Sequence, residues 1–293
     1  MRKYWPFYVM LLPAILYIAI FKYWPMYGVQ IAFKNYKMSL GVMGSKWVGF
    51  KHFKDFFESY YFWTLMKNTA ILSVYSLVVG FPIPIVIALI VNELKGGWKR
   101  TVQTIIYAPH FISTVVLVGM IVTMFSPSMG VVNTIIEKLG GERIYFMGKP
   151  QYFRHLFIWS GVWQGSGWSA ITYLAALSAV NPELHESASI DGASRMQRIL
   201  HINLPCILPT IIIMLILRMG QILSVGYEKA YLLQTDMNLD VSEIISTYVY
   251  KRGLINNSYS FSTAVGMFNS VINISMLLIT NQITKKVTET SLF

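Results

Sequence analysis

The chain has 293 residues, 55% of them hydrophobic and 13% charged, with a formal net charge of +11. Soluble domains give about a quarter of their residues to charge, so this composition excludes an ordinary water-soluble domain and leaves a polytopic membrane protein. The Lys and Arg residues are spread over many loops instead of forming a stripe, which suits anionic lipid headgroups and not nucleic acid. The single cysteine, Cys206, has no companion for an internal disulfide or a metal site.

Long windows without Lys, Arg, Asp or Glu run from Tyr4 to Phe21, Asn68 to Asn92, Thr101 to Ile136, His155 to Pro182, Ile199 to Leu217 and Gly253 to Thr284. Each can hold the roughly 20 apolar residues of a spanning helix, and the alternating segments of an outer-membrane barrel do not dominate. The chain is therefore read as a single all-α transmembrane domain over 1–293, with six spans near 5–26, 64–92, 101–125, 153–179, 204–230 and 261–283. Arg2 and Lys3 ahead of the first apolar run resemble the start of a signal peptide. No small-residue cleavage pattern accompanies Phe21-Lys22-Tyr23-Trp24, so this segment reads as the first span. The following loop, Tyr27 to Tyr60, contains Trp47, Phe50, Phe53, Phe56 and Phe57. It is too aromatic for a floppy connector and is expected to fold onto the membrane surface.

Six spans place both termini on one side, but the excess of Lys and Arg that marks cytoplasmic loops does not settle which. Arg2, Lys3, Lys95, Lys99, Arg100, Arg195, Arg198, Lys285 and Lys286 share one face, and a similar set that includes Lys34, Lys51, Lys149 and Arg252 shares the other.

The loop before the fifth span, 181–205, is the most informative segment. Asn181 suits a helix cap, Pro182 the first helical position, and Glu183 the positive end of the helix dipole. Gly192 can stop that helix in a left-handed conformation, after which Met196, Ile199, Leu200 and Ile202 recur at helical spacing. Such a loop is a rigid knob, able to transmit force to a partner.

The order Glu186-Ser187-Ala188, then Gly192, then Ile202-Asn203-Leu204-Pro205 resembles the signature loop of permeases of bacterial ABC importers, with Ser187 in place of the family's second alanine. Trp24-Pro25-Met26-Tyr27-Gly28, Trp47-Val48-Gly49-Phe50 and Tyr173-Leu174-Ala175-Ala176-Leu177 extend the likeness to the maltose-transporter-like, type I branch, specifically complex-oligosaccharide permeases. The resemblance implies that Glu186, Ser187, Ala188, Asp191 and Gly192 belong to a coupling helix seated on an ATPase subunit. The loop and both termini would then be cytoplasmic. It also implies a heterodimer with a second permease, two ATPase subunits that bind ATP and Mg, an extracytoplasmic sugar-binding protein, and an oligosaccharide cargo crossing the inner membrane.

No Walker string is present, no cofactor is expected in this chain, and no paired carboxylates, catalytic triad or metal-ligand pattern forms a site. ATP hydrolysis therefore falls to another chain. An ion-coupled carrier would place Asp or Glu inside a span, and none lies well inside one; a membrane scaffold or channel is a further alternative. Importers of a polyol, glycerol phosphate or peptide also remain open.

A sugar path combines flat rings with amide or charged groups. Trp163, Gln164, Trp168, Tyr173, Arg218, Gln221, Tyr227, Asn269 and Asn273 are its candidates, although helix-to-helix hydrogen bonding would also use such side chains. Arg218 lies 13 residues past Pro205, about 20 Å along the helix, too deep to face lipid without cost. It suggests an acidic cargo, alginate-like or pectin-like, unless it snorkels outward or pairs with a partner's acid.

Overall fold

The computed structural model describes residues 4–288 and 290–292; Arg2 and Lys3, counted above toward orientation, lie outside them. The described residues are mostly helical and divide into two compact units, Met1–Phe62 with Tyr248–Ser270, and Trp63–Thr247 with Val271–Phe293.

In the first unit, the helix Trp5–Ile18 continues through a wide turn at Ala19–Tyr23 and a tighter 3-10 segment, Trp24–Phe33. Residues 7–27 of the apolar stretch Phe7–Phe33 are exposed within this chain, as expected of a helix whose solvent is lipid or a partner's helices, and Ala32 near its end is buried. The aromatic loop that follows is an ordered small core. Residues Lys34–Asn35 and Lys46–Trp47 pair as antiparallel strands, too short for the sequence pattern to reveal. Phe33 stacks on Trp47 at 5.6 Å and meets Phe50 edge-on at 5.4 Å. Phe56, on the helix Lys51–Phe57, is 1% exposed and packs edge-on against Phe62, Phe261 and Phe268. Offset and edge-on rings contribute about 0.5–1.5 kcal/mol per pair beyond burial.

The second unit is organised around the 29-residue helix Pro150–Ser178, about 43 Å long at 1.5 Å per residue. The helices Phe62–Gly80 and Pro82–Glu93 pack beside it. Ala88, Val91, Ala170, Tyr173, Leu174, Leu177 and Ile207 form one buried cluster. Leu72, Leu117, Ile121, Phe153, Phe157, Val225, Leu233 and Ile244 belong to another. Apolar burial gains little against lipid, so helix association in a membrane depends on close approach through small residues. Gly167 lies against the backbone carbonyl of Ile106, where a Cβ would have no room.

Two expected spans are corrected. The third, expected to be continuous over 101–125, is bent by 96° between residues 96–111 and 114–124. Pro109 lacks a donor for the helical ladder, and Ser113 caps the new helix by accepting from Val116 N at 3.3 Å. The fifth, expected over 204–230, is helical from Arg195 to Met219, breaks over residues 220–226 and resumes as Tyr227–Leu233. Irregular backbone at membrane depth must find partners within the protein. Here Asn273 Oδ1 accepts from Leu223 N at 3.0 Å, Asn273 Nδ2 donates to Ser224 Oγ at 3.1 Å, and Ser246 Oγ donates to the Val225 carbonyl at 3.2 Å.

By length and apolarity, Phe7–Phe33, Phe62–Glu93, Arg195–Met219 and Tyr259–Thr288 can cross a membrane, with a fifth crossing if the bent pair counts as one. Pro150–Ser178 has the length. Its Gly and Ser residues, including Gly161, Gly165, Ser166, Gly167 and Ser169, lower its apolarity.

Candidate functional site

The exposed loop 181–205 has a defined internal geometry. Asn181 Oδ1 accepts from Glu183 N at 3.1 Å to cap the helix Pro182–Ile190. Gly192 ends it at φ +77. Ala193 N donates to the Ala188 carbonyl at 2.8 Å and Gly192 N to the Ser189 carbonyl at 3.2 Å, the paired bonds of a Schellman stop. Ser194 then opens the next helix with a reciprocal capping box to Gln197. Arg198 Nη1 donates to Ser189 Oγ at 2.7 Å, and that hydroxyl donates to the His185 carbonyl at 2.7 Å. These bonds tie the short helix to the base of Arg195–Met219, so displacement of one is transmitted to the other. Glu186, Ser187, Asp191 and Gly192 are exposed and Ala188 is half-buried. Ile190 is 87% exposed, an apolar side chain that sequence reasoning did not single out.

Within the second unit lies a cavity of about 520 Å³. Pro150–Ser178 lines it with Phe157, Gly161, Gly165, Ser169 and Tyr173, one residue per four, hence a single face. Ser73 and Ser76 come from Phe62–Gly80, Arg218 from Leu204–Met219, Gln221 and Ser224 from the break, and Lys229 from Tyr227–Leu233. No Asp or Glu is among the lining residues. Arg218 Nη2 donates to Ser76 Oγ at 2.8 Å. Lys229 Nζ donates to the Phe157 carbonyl at 2.6 Å and sits 4.2 Å from the centre of the Phe157 ring. Both cations thus have only neutral partners. Ser73 Oγ, buried, has no hydrogen-bond partner among the described residues. The small face of Gly161 makes room for Lys229, since a Cβ there would lie 2.6 Å from the ammonium.

Of the expected path residues, Tyr173, Arg218 and Gln221 meet at this cavity. The others do not. Trp163 lies on a different, apolar groove beside Leu117, Met120 and Trp159. Gln164 Nε2 donates to the Ile112 carbonyl at 2.7 Å, bracing the bend of the third span. Trp168 stacks on His110 at 4.4 Å. Tyr227 opens its short helix outside the cavity lining, and Asn273 holds the 220–226 break. Asn269 belongs to the first unit, with a buried Oδ1 that has no hydrogen-bond partner among the described residues. Sequence reasoning missed Lys229, Ser73, Ser76 and Phe157. The four-residue spacing of small residues from Phe157 to Tyr173 was the available signal. Among the described residues no cluster of His, Cys, Asp or Glu could hold a metal.

The family model of the binding-protein-dependent transport system inner membrane component matches residues 68–289. The chain belongs to this family. It is 44% identical to Protein LplB of Bacillus subtilis over 98% of this chain and 90% of that protein. It is 42% identical to the polygalacturonan/rhamnogalacturonan transport system permease protein YteP of the same organism, over 98% and 89%. A crystal structure of a bacterial ABC transporter involved in the import of the acidic polysaccharide alginate contains a chain with TM-score 0.90 and 44% identity, covering 98% of this chain and 97% of that one. A second structure, of bacterial alginate ABC transporter in complex with alginate pentasaccharide-bound periplasmic protein, matches with TM-score 0.90 and 43% identity, over 99% and 98%. The resemblance read from the 181–205 loop is borne out: this is an inner-membrane, multi-pass permease with the type I ABC importer fold.

Proposed function

We propose that this permease moves an acidic oligosaccharide, rich in uronate rings, across the inner membrane. The observation that carries the reading is the pair Arg218 and Lys229 in a cavity with no carboxylate of its own. Arg218 is exposed within this chain and Lys229 half-buried, but a cation at membrane depth is retained where it has an anion or a wet cavity to meet, and a uronate supplies the anion on a ring whose C-H face suits Phe157 and Tyr173. YteP is named for galacturonan transport and the crystallographic neighbours for alginate, both chains of acidic sugars. An ion-coupled carrier would need a protonatable acid at this depth, and none lines the cavity.

Residues Glu186 to Gly192 form the coupling helix, seated on an ATPase subunit with Glu186 and Asp191 as charged contacts and Ile190 as an apolar one. The chain carries out no chemistry itself. ATP and Mg are bound by two partner ATPases, a second permease completes the path, and an external binding protein delivers the sugar. Pro150–Ser178 is then the fourth crossing, its small polar face turned to the cavity and not to lipid. Six crossings put both termini in the cytoplasm and the loops after spans one, three and five outside. ATPase closure moves the stiff 181–205 loop and with it Arg195–Met219, which bears Arg218, so the cavity opens alternately to the two sides.

The test is the ATPase rate of the purified complex with its binding protein. Uronate oligosaccharides should stimulate it, and carboxyl-reduced counterparts should do so weakly. Equal stimulation by both would remove the acidic assignment, and stimulation by neither would remove the oligosaccharide.

A further inference from the structure

The first unit contains a separate polar pocket of about 510 Å³, lined by residues of the loop after the first span and of the segment leading into the last helix. Its wall combines Tyr36, Tyr248 and Tyr259 with Arg252, Asp55 and Asn35. Tyr36 and Tyr259 meet edge to face at 6.0 Å. The Tyr36 amide is fixed by donating to Ser260 Oγ at 2.9 Å, while the Tyr259 hydroxyl donates to Asn257 Oδ1 at 2.9 Å. Asn257 adopts φ +54, uncommon for a residue with a side chain. Arg252 Nε donates to the Tyr248 hydroxyl at 3.2 Å, and its guanidinium carbon lies 5.5 Å from that ring's centre. Both Nη groups are left over, with no hydrogen bond to another described residue. Asp55 lies 3.9 Å from His52 Nδ1, and His52 is held by donating from Nε2 to the Lys34 carbonyl at 3.1 Å.

We propose that this pocket is a second carbohydrate subsite, taking one uronate ring of the oligosaccharide on the external side of the membrane. Three complementary features meet there. The half-buried Tyr36 and Tyr259 rings offer faces for the C-H surface of a pyranose, while the buried Tyr248 ring backs Arg252. Arg252 offers a planar fork of donors that fits a carboxylate. Asp55 and the Asn35 amide accept from ring hydroxyls, for which a purely cationic pocket has no acceptor. The volume lies within the usual range of about 300–1,000 Å³ for small-ligand sites. A flat docking face for the binding protein would need neither the concavity nor the edge-to-face ring pair. The external placement rests on the topology proposed above, as does the identity of the cargo.

The experiment uses the complete importer in nanodiscs with its binding protein. It measures the concentration of a galacturonate tetrasaccharide, or of its carboxyl-reduced form, that gives half-maximal stimulation of ATPase. Arg252→Gln should raise this concentration about tenfold for the charged sugar, the value of one lost charge-assisted hydrogen bond, and by less than about twofold for the neutral one. Arg252→Lys, which keeps a cation but loses the fork, should fall between wild type and Arg252→Gln. Tyr259→Ala should raise the concentration for both sugars by removing the ring face. An unchanged value for Arg252→Gln with a responsive wild type would overturn the subsite alone. A loss equal for the two sugars, accompanied by weaker binding-protein association, would make the pocket a protein contact and also overturn it. A wild-type complex that responds to no oligosaccharide would sink the proposed function, and the subsite with it.

Discussion

Neutralising the cavity cations one at a time separates charge recognition from packing, and the two positions differ in a way the structure lets us estimate. A substrate carboxylate about 4 Å from either cation gains about 4 kcal/mol at an effective dielectric constant of about 20. To reach it, Lys229 must leave the Phe157 carbonyl and ring face, contacts worth about 2 and about 1 kcal/mol. Its net gain is then about 1 kcal/mol, or about fivefold in affinity. Arg218 leaves only the Ser76 hydroxyl, about 1.5 kcal/mol, and keeps about 2.5 kcal/mol, or about 70-fold. Arg218→Met should therefore weaken transport of the charged sugar far more than Lys229→Met, and both should spare the neutral sugar. Uptake into proteoliposomes, measured as the half-saturating concentration for each sugar, reads this directly. Lys229→Met matching or exceeding Arg218→Met would refute the assignment of its present contacts as competitors, and equal losses for both sugars would refute the charge argument.

Other perturbations follow from local geometry. Gly167→Ala would drive a Cβ into the Ile106 carbonyl, a backbone atom that cannot swing aside, so a loss of 3 kcal/mol or more, about the upper range for overpacking, should appear as a lowered unfolding temperature in detergent. Asn273→Leu orphans the Leu223 amide and should cost about 1–3 kcal/mol, with faster proteolysis at residues 220–226 as the readout. Gly192→Ala meets no atom within 4 Å, so its cost is limited to the left-handed strain of about 1–2 kcal/mol. It should leave the fold intact while lowering coupled transport per ATP hydrolysed. In the loop after the third span, Arg143 donates to Glu137 at 2.7 Å, and that hydrogen bond, then the charge, holds the Glu137 carboxyl below its ordinary value. A depressed folded value means the stabilisation is present above the unfolded value and lost as pH falls through the folded one. Amide protection over residues 127–143, taken relative to the intrinsic exchange rate at each pH, should fall on acidification in wild type, and this acid-dependent loss of protection should be absent in Glu137→Gln.

The sequence made the 181–205 loop legible because its signals are local. Asn181, Pro182, Gly192 and the Ser194–Gln197 box each act within one turn of their own position, and the structure uses each one locally. The cavity was less legible because it is assembled from distant segments. Arg218 stood out as a lone charge in an apolar run, whereas Lys229 sat beside Glu228 at the edge of the expected span and gave no such contrast. Trp163 and Trp168 shared a helix and a residue type with a sugar path, but the rotation of that helix turns the Phe157-to-Tyr173 face inward and leaves both indoles to other contacts. The bend at Pro109 and the break at Gly220 were hidden for a related reason. Hydropathy counts apolar residues without regard to whether the backbone between them is straight, and the carbonyls and amides freed there are satisfied by Gln164 and Asn273 from other helices.

The importer mechanism depends most on the 181–205 loop being gripped by the ATPase. With Ala188→Cys introduced beside Cys206→Ser, a short bifunctional crosslinker applied to the assembled importer should join position 188 to the ATPase subunit, less so when ATP binding rearranges the contact. Crosslinks that reach only lipid or the external binding protein would contradict the orientation, the coupling role and the importer mechanism together.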